Sequence, residues 1–127
     1  MEQYLIDTNV VSDYLSASLP VTGMVFLDAI IDAVPHLSII SQIELLCWDT
    51  DAATTKNVKS FVADSVILNI TADVIASCIT LRKRKKIKTP DAIIAATALA
   101  YGAILITNNE KDFDNIKGLK LINPHKV

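Results

Sequence analysis

Two rhythms of apolar and polar residues alternate along this chain. Short, largely apolar runs are separated by longer segments in which apolar side chains recur every three or four positions. The first pattern suits strands buried on both faces, and the second suits helices that bury one face. On that reading residues 4–6 form a strand. Residues 8–16 form a helix with Val10, Val11, Tyr14 and Leu15 along one side, and residues 17–21 break it. Met24, Val25, Leu27, Ile30, Ile31 and Val34 mark a second helix over 22–34, which Pro35 stops. A strand over 36–40 and helices over 41–48 and 51–63 follow. Residues 66–70 make the next strand. Thr71 caps a helix that runs from Ala72 into a basic segment near Lys86. Thr89 as cap and Pro90 at the first position open another helix, and Gly102 ends it. Residues 103–107 are the clearest strand; 109–115 make a short helix and 120–123 a last strand.

Strands that alternate with helices predict an α/β fold, a central parallel sheet of four to five strands covered by helices on both faces. Strand order is not readable from periodicity. At 127 residues, with no repeat, low-complexity segment or linker, the chain reads as one domain over 1–127. It is 51% hydrophobic, and its longest apolar stretch, 92–106, is too short and too interrupted to span a bilayer. No secretory signal is visible at the start, so a cytoplasmic location without membrane association is expected. Cys47 and Cys78 lie in apolar helical contexts without metal-ligand spacing and read as buried free thiols.

The net charge of −2 favours no partner class, but its distribution is uneven. Arg82, Lys83, Arg84, Lys85, Lys86 and Lys88 hold half of the twelve basic residues. Such a block on an otherwise acidic body is a possible footprint for a polyanion, although a basic helix end also complements the helix dipole.

Four acids sit where strands hand over to helices: Asp7, Glu44, Asp91 and Asp112. The carboxyl ends of parallel strands share one edge of a sheet, so acids far apart in sequence can meet there. Singly, each has a structural explanation. Ser41-x-x-Glu44 matches a capping box, Asp91 and Asp112 suit first helical turns, and Asp7 suits an Asx turn. Asp7 strains that explanation, because it lies deep in an apolar segment where an uncompensated carboxylate is costly. Grouped carboxylates are suited to a hard divalent cation, which points to metal-dependent phosphodiester chemistry.

The segments Leu5-Ile6-Asp7-Thr8-Asn9, Ser41-x-x-Glu44, Thr89-Pro90-Asp91-Ala92-Ile93-Ile94-Ala95-Ala96-Thr97-Ala98 and Leu105-Ile106-Thr107-Asn108-Asn109-x-x-Asp112-Phe113 together resemble the PIN domain. More narrowly, they resemble the VapC-type toxin ribonucleases of toxin–antitoxin pairs. The resemblance implies a three-layer PIN-like fold and a Mg²⁺- or Mn²⁺-dependent endoribonuclease. Asp7, Glu44, Asp91 and Asp112 would be its metal-binding and catalytic quartet, with Thr8, Asn9, Thr107 and Asn108 as polar support. It also implies an RNA substrate, a homodimer and inhibition by a small cognate antitoxin. The basic block from Arg82 to Lys88, which immediately precedes Asp91, would guide RNA phosphates toward the metal.

His36 and His125 are not expected to act in catalysis, and Tyr14, Trp48 and Tyr101 read as packing residues. Three alternatives remain open. One is a PIN nuclease of RNA processing, and another is a catalytically silent RNA- or protein-binding module. The third, a phosphatase using Asp7 as nucleophile, is disfavoured because Asn9 stands where a second carboxylate belongs.

Overall fold

The computed structural model describes residues 2–127 and contains a five-stranded sheet. In chain order the elements are β1 (Gln3–Ile6), α1 (Thr8–Leu15), α2 (Val21–Ala33), β2 (His36–Ser38), α3 (Ile39–Leu46) and α4 (Ala52–Ala63). They continue with β3 (Val66–Leu68), α5 (Ala72–Arg84), α6 (Thr89–Tyr101), β4 (Ala103–Ile106), α7 (Glu110–Phe113) and β5 (Leu121–Ile122). The strands are ordered β3-β2-β1-β4-β5 and every pairing is parallel.

From β1 the chain walks outward through β2 to β3, then crosses back to β4 on the other side of β1. Right-handed crossovers put the helices of the two walks on opposite faces. Successive strand residues accordingly face opposite layers. Ile6, Leu37, Ile104 and Ile106 join Val10, Val11, Leu27, Leu45 and Phe61 in one core beneath α1 to α4. Leu5, Leu68, Ala103 and Leu105 join Leu81, Ile94, Ala98 and Phe113 in the other, beneath α5 to α7. The small side chains of Ala92, Ala95 and Ala98 let α6 lie close against the sheet. The walk reverses direction between β1 and β4, whose register runs from Gln3↔Ala103 to Ile6↔Ile106. The residues that follow each strand, Asp7 and Thr107, therefore emerge side by side at the point where α/β sheets open a crevice.

Several boundaries differ from the sequence pattern for local reasons. The second strand stops at Ser38, not residue 40, because the Ser38 hydroxyl caps α3 by accepting from the Ser41 N–H at 3.0 Å. Ser41 is therefore an interior helical residue and no capping box with Glu44 forms. Helix α5 ends at Arg84 because Lys85 turns extended (φ −138°, ψ 140°), so Lys86 and Lys88 lie beyond it. Lys88, not Thr89, occupies the cap position of α6, and the Ala92 N–H already donates to the Lys88 carbonyl at 2.9 Å. An extended Asp114 ends α7 at Phe113, and Asn115 follows with a positive φ of 59°. Strands β3 and β5 are likewise shorter than expected. Cys47 is exposed at the end of α3 and Cys78 is half-buried, so neither is the buried thiol expected, though both are free. Gly102 does end α6 in the left-handed conformation (φ 67°). Among the described residues no helix is long and apolar enough to cross a membrane.

The C-terminal tail is packed rather than loose. Pro124 is buried, and a Cβ on Gly23 of α2 would lie 2.2 Å from its carbonyl oxygen. Gly23→Ala should therefore destabilise the fold by about 1–2 kcal/mol, because overpacking outweighs the helix-propensity gain of about 1 kcal/mol. Urea unfolding measures this; a more stable variant would mean that the tail yields without cost.

Candidate active site at the carboxyl edge of the sheet

Asp7 caps α1 directly above β1 and is only 5% exposed. Its backbone N–H donates to the Ile106 carbonyl at 2.9 Å, which locks β1 to β4 at their ends. Its Oδ1 accepts from the Thr8 N–H at 2.8 Å, and its Oδ2 accepts from the Thr107 hydroxyl at 2.8 Å. Burial nevertheless dominates, and the carboxyl is pushed up to about 6 from its ordinary 3.8. The two hydrogen bonds oppose that rise, while the fields of Asp91 and Glu44 add to it.

Asp91 sits in the first turn of α6, half-buried. Burial raises its pKa first, followed by the fields of Asp112 and Glu44, and Lys88 pulls the other way. Asp7 thus feels the charges of Asp91 and Glu44, and Asp91 those of Asp112 and Glu44. Glu44 and Asp112 are exposed. Glu44 is tied down by Thr8, whose hydroxyl donates to its Oε1 at 2.7 Å. The Thr8 oxygen also lies 2.9 Å from the Ser41 hydroxyl, and a single Thr8 proton engaged by Glu44 leaves Ser41 to donate. Ser41 in turn lies 3.3 Å from the Ser38 hydroxyl. Asp112 Oδ2 accepts from the Asn109 side chain at 2.7 Å.

Of the four polar residues expected to support the acids, Thr8 and Thr107 bond them directly. Asn9 is exposed and bonds none of them, and Asn108 turns away to Asp13 at 2.7 Å. Asn109 takes the supporting role instead. Its backbone N–H donates to Thr107 Oγ1 at 3.0 Å, which also helps fix the residue that holds Asp7. The sequence signal for Asn109 is its three-residue spacing to Asp112. Ser38 and Ser41, both fully buried, were not foreseen as site residues. The segment Ser38-x-x-Ser41 at a strand end was the available clue.

Beside Asp91 and Asp112 lies a groove of about 440 Å³, also lined by Arg82, Lys85, Lys86, Ile87, Lys88 and Lys111. The basic block thus divides. Four of its members face the acids, whereas Arg84 lines a separate groove with Ser77, Thr80 and Lys117 and Lys83 lines neither. Lys111 was missed because it lies far from the block in sequence. His36 lines an apolar groove with Tyr4 and Phe26, and His125 bonds Asp13.

Among the described residues no three acidic, histidine or cysteine side chains stand close enough to ligate one ion directly. The donor set is nonetheless all oxygen, and its buried member lacks a cationic partner. It fits a hard cation that keeps part of its water shell.

A PIN-domain family model matches residues 4–119. The chain belongs to the PIN-domain family. This PIN domain is similar in structure to a toxin–antitoxin complex from Klebsiella pneumoniae, with 28% identity and a TM-score of 0.76 over 98% of this chain and 100% of that one. It is also similar to VapBC2 from Rickettsia felis bound to a promoter DNA fragment (24% identity, TM-score 0.80, 94% and 97% covered). DNA-bound VapBC from Salmonella typhimurium matches as well (18% identity, TM-score 0.82, 98% and 99% covered). The latter two likenesses are of fold. No curated protein sequence matches the chain. The PIN domain thus carries its buried acid at the sheet's switch point.

Proposed function

We propose that this PIN domain, a single domain over 1–127, is a metal-dependent endoribonuclease. We further propose that it acts as the VapC-type toxin of a type II toxin–antitoxin pair. The observation that carries the reading is the placement of Asp7: a nearly buried carboxyl at the end of β1, raised to about 6 by burial and further by the charges of Asp91 and Glu44; Asp91 in turn lines a basic groove. A carboxylate so placed has two hydrogen-bond donors and no cation of its own.

Asp7 and Asp91 would hold Mg²⁺ or Mn²⁺ directly, and Glu44 and Asp112 would do so through water. The bound ion supplies Lewis-acid polarisation of a phosphate and a water of lowered pKa. The chain's own residues do the rest. Thr107 and the Thr8 amide fix both oxygens of Asp7, so its free lone pairs keep one direction. Thr8, steadied by Ser41, holds Glu44, whose carboxylate can orient an attacking water. Asn109 holds Asp112. Lys85, Lys86, Lys88, Arg82 and Lys111 attract the RNA backbone and bring a phosphate to the acids. No covalent nucleophile is needed, and neither histidine takes part.

The reading implies a homodimer in the cytoplasm and a small antitoxin as partner; the Klebsiella pneumoniae toxin–antitoxin complex supports the latter. Four carboxylates short of metal attract a guanidinium, which binds carboxylates through two parallel hydrogen bonds. An antitoxin that sets an Arg there competes with the ion. The test is RNA cleavage with the purified product of the neighbouring gene across a Mg²⁺ series at constant ionic strength. Inhibition that weakens as Mg²⁺ rises is expected. Cleavage untouched by that protein would leave a free-standing processing nuclease. Cleavage absent at every Mg²⁺ and Mn²⁺ concentration would leave a silent binding module.

A further inference from the structure

We infer that Asp13, which no part of the proposed chemistry uses, is the positioning residue for the loop that orders the acids. The inference rests on the nuclease reading for its functional meaning. Asp13 lies on α1, the helix that Asp7 caps. Its Oδ2 accepts from the Asn108 side chain at 2.7 Å and lies 3.0 Å from His125 Nε2. Asn108 stands between the two residues that grip the site. Thr107 holds Asp7 and Asn109 holds Asp112. Pinning Asn108 to α1 therefore fixes both neighbours at once.

The C-terminal tail closes the arrangement from outside. The His125 N–H donates to the Asn123 side chain at 2.9 Å, and Lys126 pairs with Glu110 at 2.6 Å. Glu110 is the first residue of α7, the helix that carries Asp112. The tail thus binds α1 through Asp13 and α7 through Glu110. Both contacts to Asp13 fall on one oxygen, so the single oxygen of a neutral carboxamide can keep both in place, though each bond is weaker without the charge. This separates a positioning role from a charge role.

The experiment compares wild type with Asp13→Ala, Asp13→Asn and Asn108→Ala. Three quantities are read: the Mn²⁺ dissociation constant by calorimetric titration, amide hydrogen exchange in the metal-free protein, and the thermal midpoint. Asp13→Ala and Asn108→Ala should weaken Mn²⁺ binding by about tenfold or more, the usual effect of losing a group that orients a ligand. They should also speed exchange of the Asn109 amide, which donates to Thr107 Oγ1. The Leu105 amide, bonded to the Lys120 carbonyl in the sheet, should keep its protection. Asp13→Asn should retain Mn²⁺ affinity within about twofold, since the positioning bonds survive. An Asp13→Asn variant as weak as Asp13→Ala would show that Asp13 acts by charge and would overturn the inference. So would unchanged affinity and exchange in Asp13→Ala. If wild type itself binds no Mn²⁺, the nuclease reading fails, and Asn109 exchange alone decides whether Asp13 orders the loop.

Discussion

Asp7→Asn is expected to give a protein that is more stable than wild type at pH 7.5 without divalent ions, and inactive. The Asp7 carboxyl rises from 3.8 to about 6 on folding, chiefly through burial. Between those values the folded chain holds a proton that the unfolded chain has released. The group's favourable contribution is complete below about pH 4 and is lost as pH rises through 6. A shift of about two units corresponds to about 3 kcal/mol of lost stability at neutral pH. The amide removes that penalty but fits its surroundings less well. Its NH₂ must face Thr107 Oγ1, which already accepts from Asn109. One imperfect bond offsets about 1 kcal/mol, leaving a net gain of about 1–2 kcal/mol. Urea unfolding from pH 4 to 8 measures it, and the gain should vanish at the acid end. Millimolar Mn²⁺ should raise the wild-type midpoint and leave the variant's unchanged. A variant that loses stability at pH 7.5 would show that the carboxylate serves the fold.

Replacing Arg82, Lys85, Lys86 and Lys88 with Ala should weaken RNA binding and flatten its dependence on salt. For a single strand, each lost phosphate contact lowers the log–log slope by about 0.7, so four contacts amount to a change near 3. Lys85 contributes less than its position suggests, because it pairs with Asp114 at 3.4 Å and must leave that partner. Lys83→Ala is the internal control, since Lys83 lies outside the groove. Binding measured at a series of salt concentrations distinguishes the cases. An equal slope change from Lys83→Ala alone would mean that the block acts only through its total charge.

Much of the fold was legible because its strands are short and mostly apolar. That pattern identifies a parallel sheet covered on both faces, and it conceals strand order for the same reason. A strand buried on both sides carries no mark of its neighbour. Asp7 was legible because a carboxylate inside Leu5-Ile6-Asp7 conflicts with its surroundings. The supporting residues were harder to read. Ser38 and Ser41 are both plausible caps ahead of a helical pattern, and only the backbone decides that Ser38 caps. Asn108 and Asn109 are chemically identical neighbours. The bond from the Asn109 amide to Thr107 turns one toward Asp112 and leaves the other to Asp13. The basic block reads as continuous in sequence, but it spans the end of a helix and the turn after it. Its side chains therefore fan into different grooves.

The most direct test of the four-acid site is the rate of RNA cleavage by the purified chain as Mn²⁺ is titrated from none to millimolar, with Asp91→Asn alongside. The account predicts no cleavage in chelator, saturable activation by the ion, and a loss of about a thousandfold or more in the variant. Losing transition-state stabilisation of about 4 kcal/mol corresponds to that factor. Cleavage that persists in chelator, or an Asp91→Asn variant that cleaves at the wild-type rate, would contradict it.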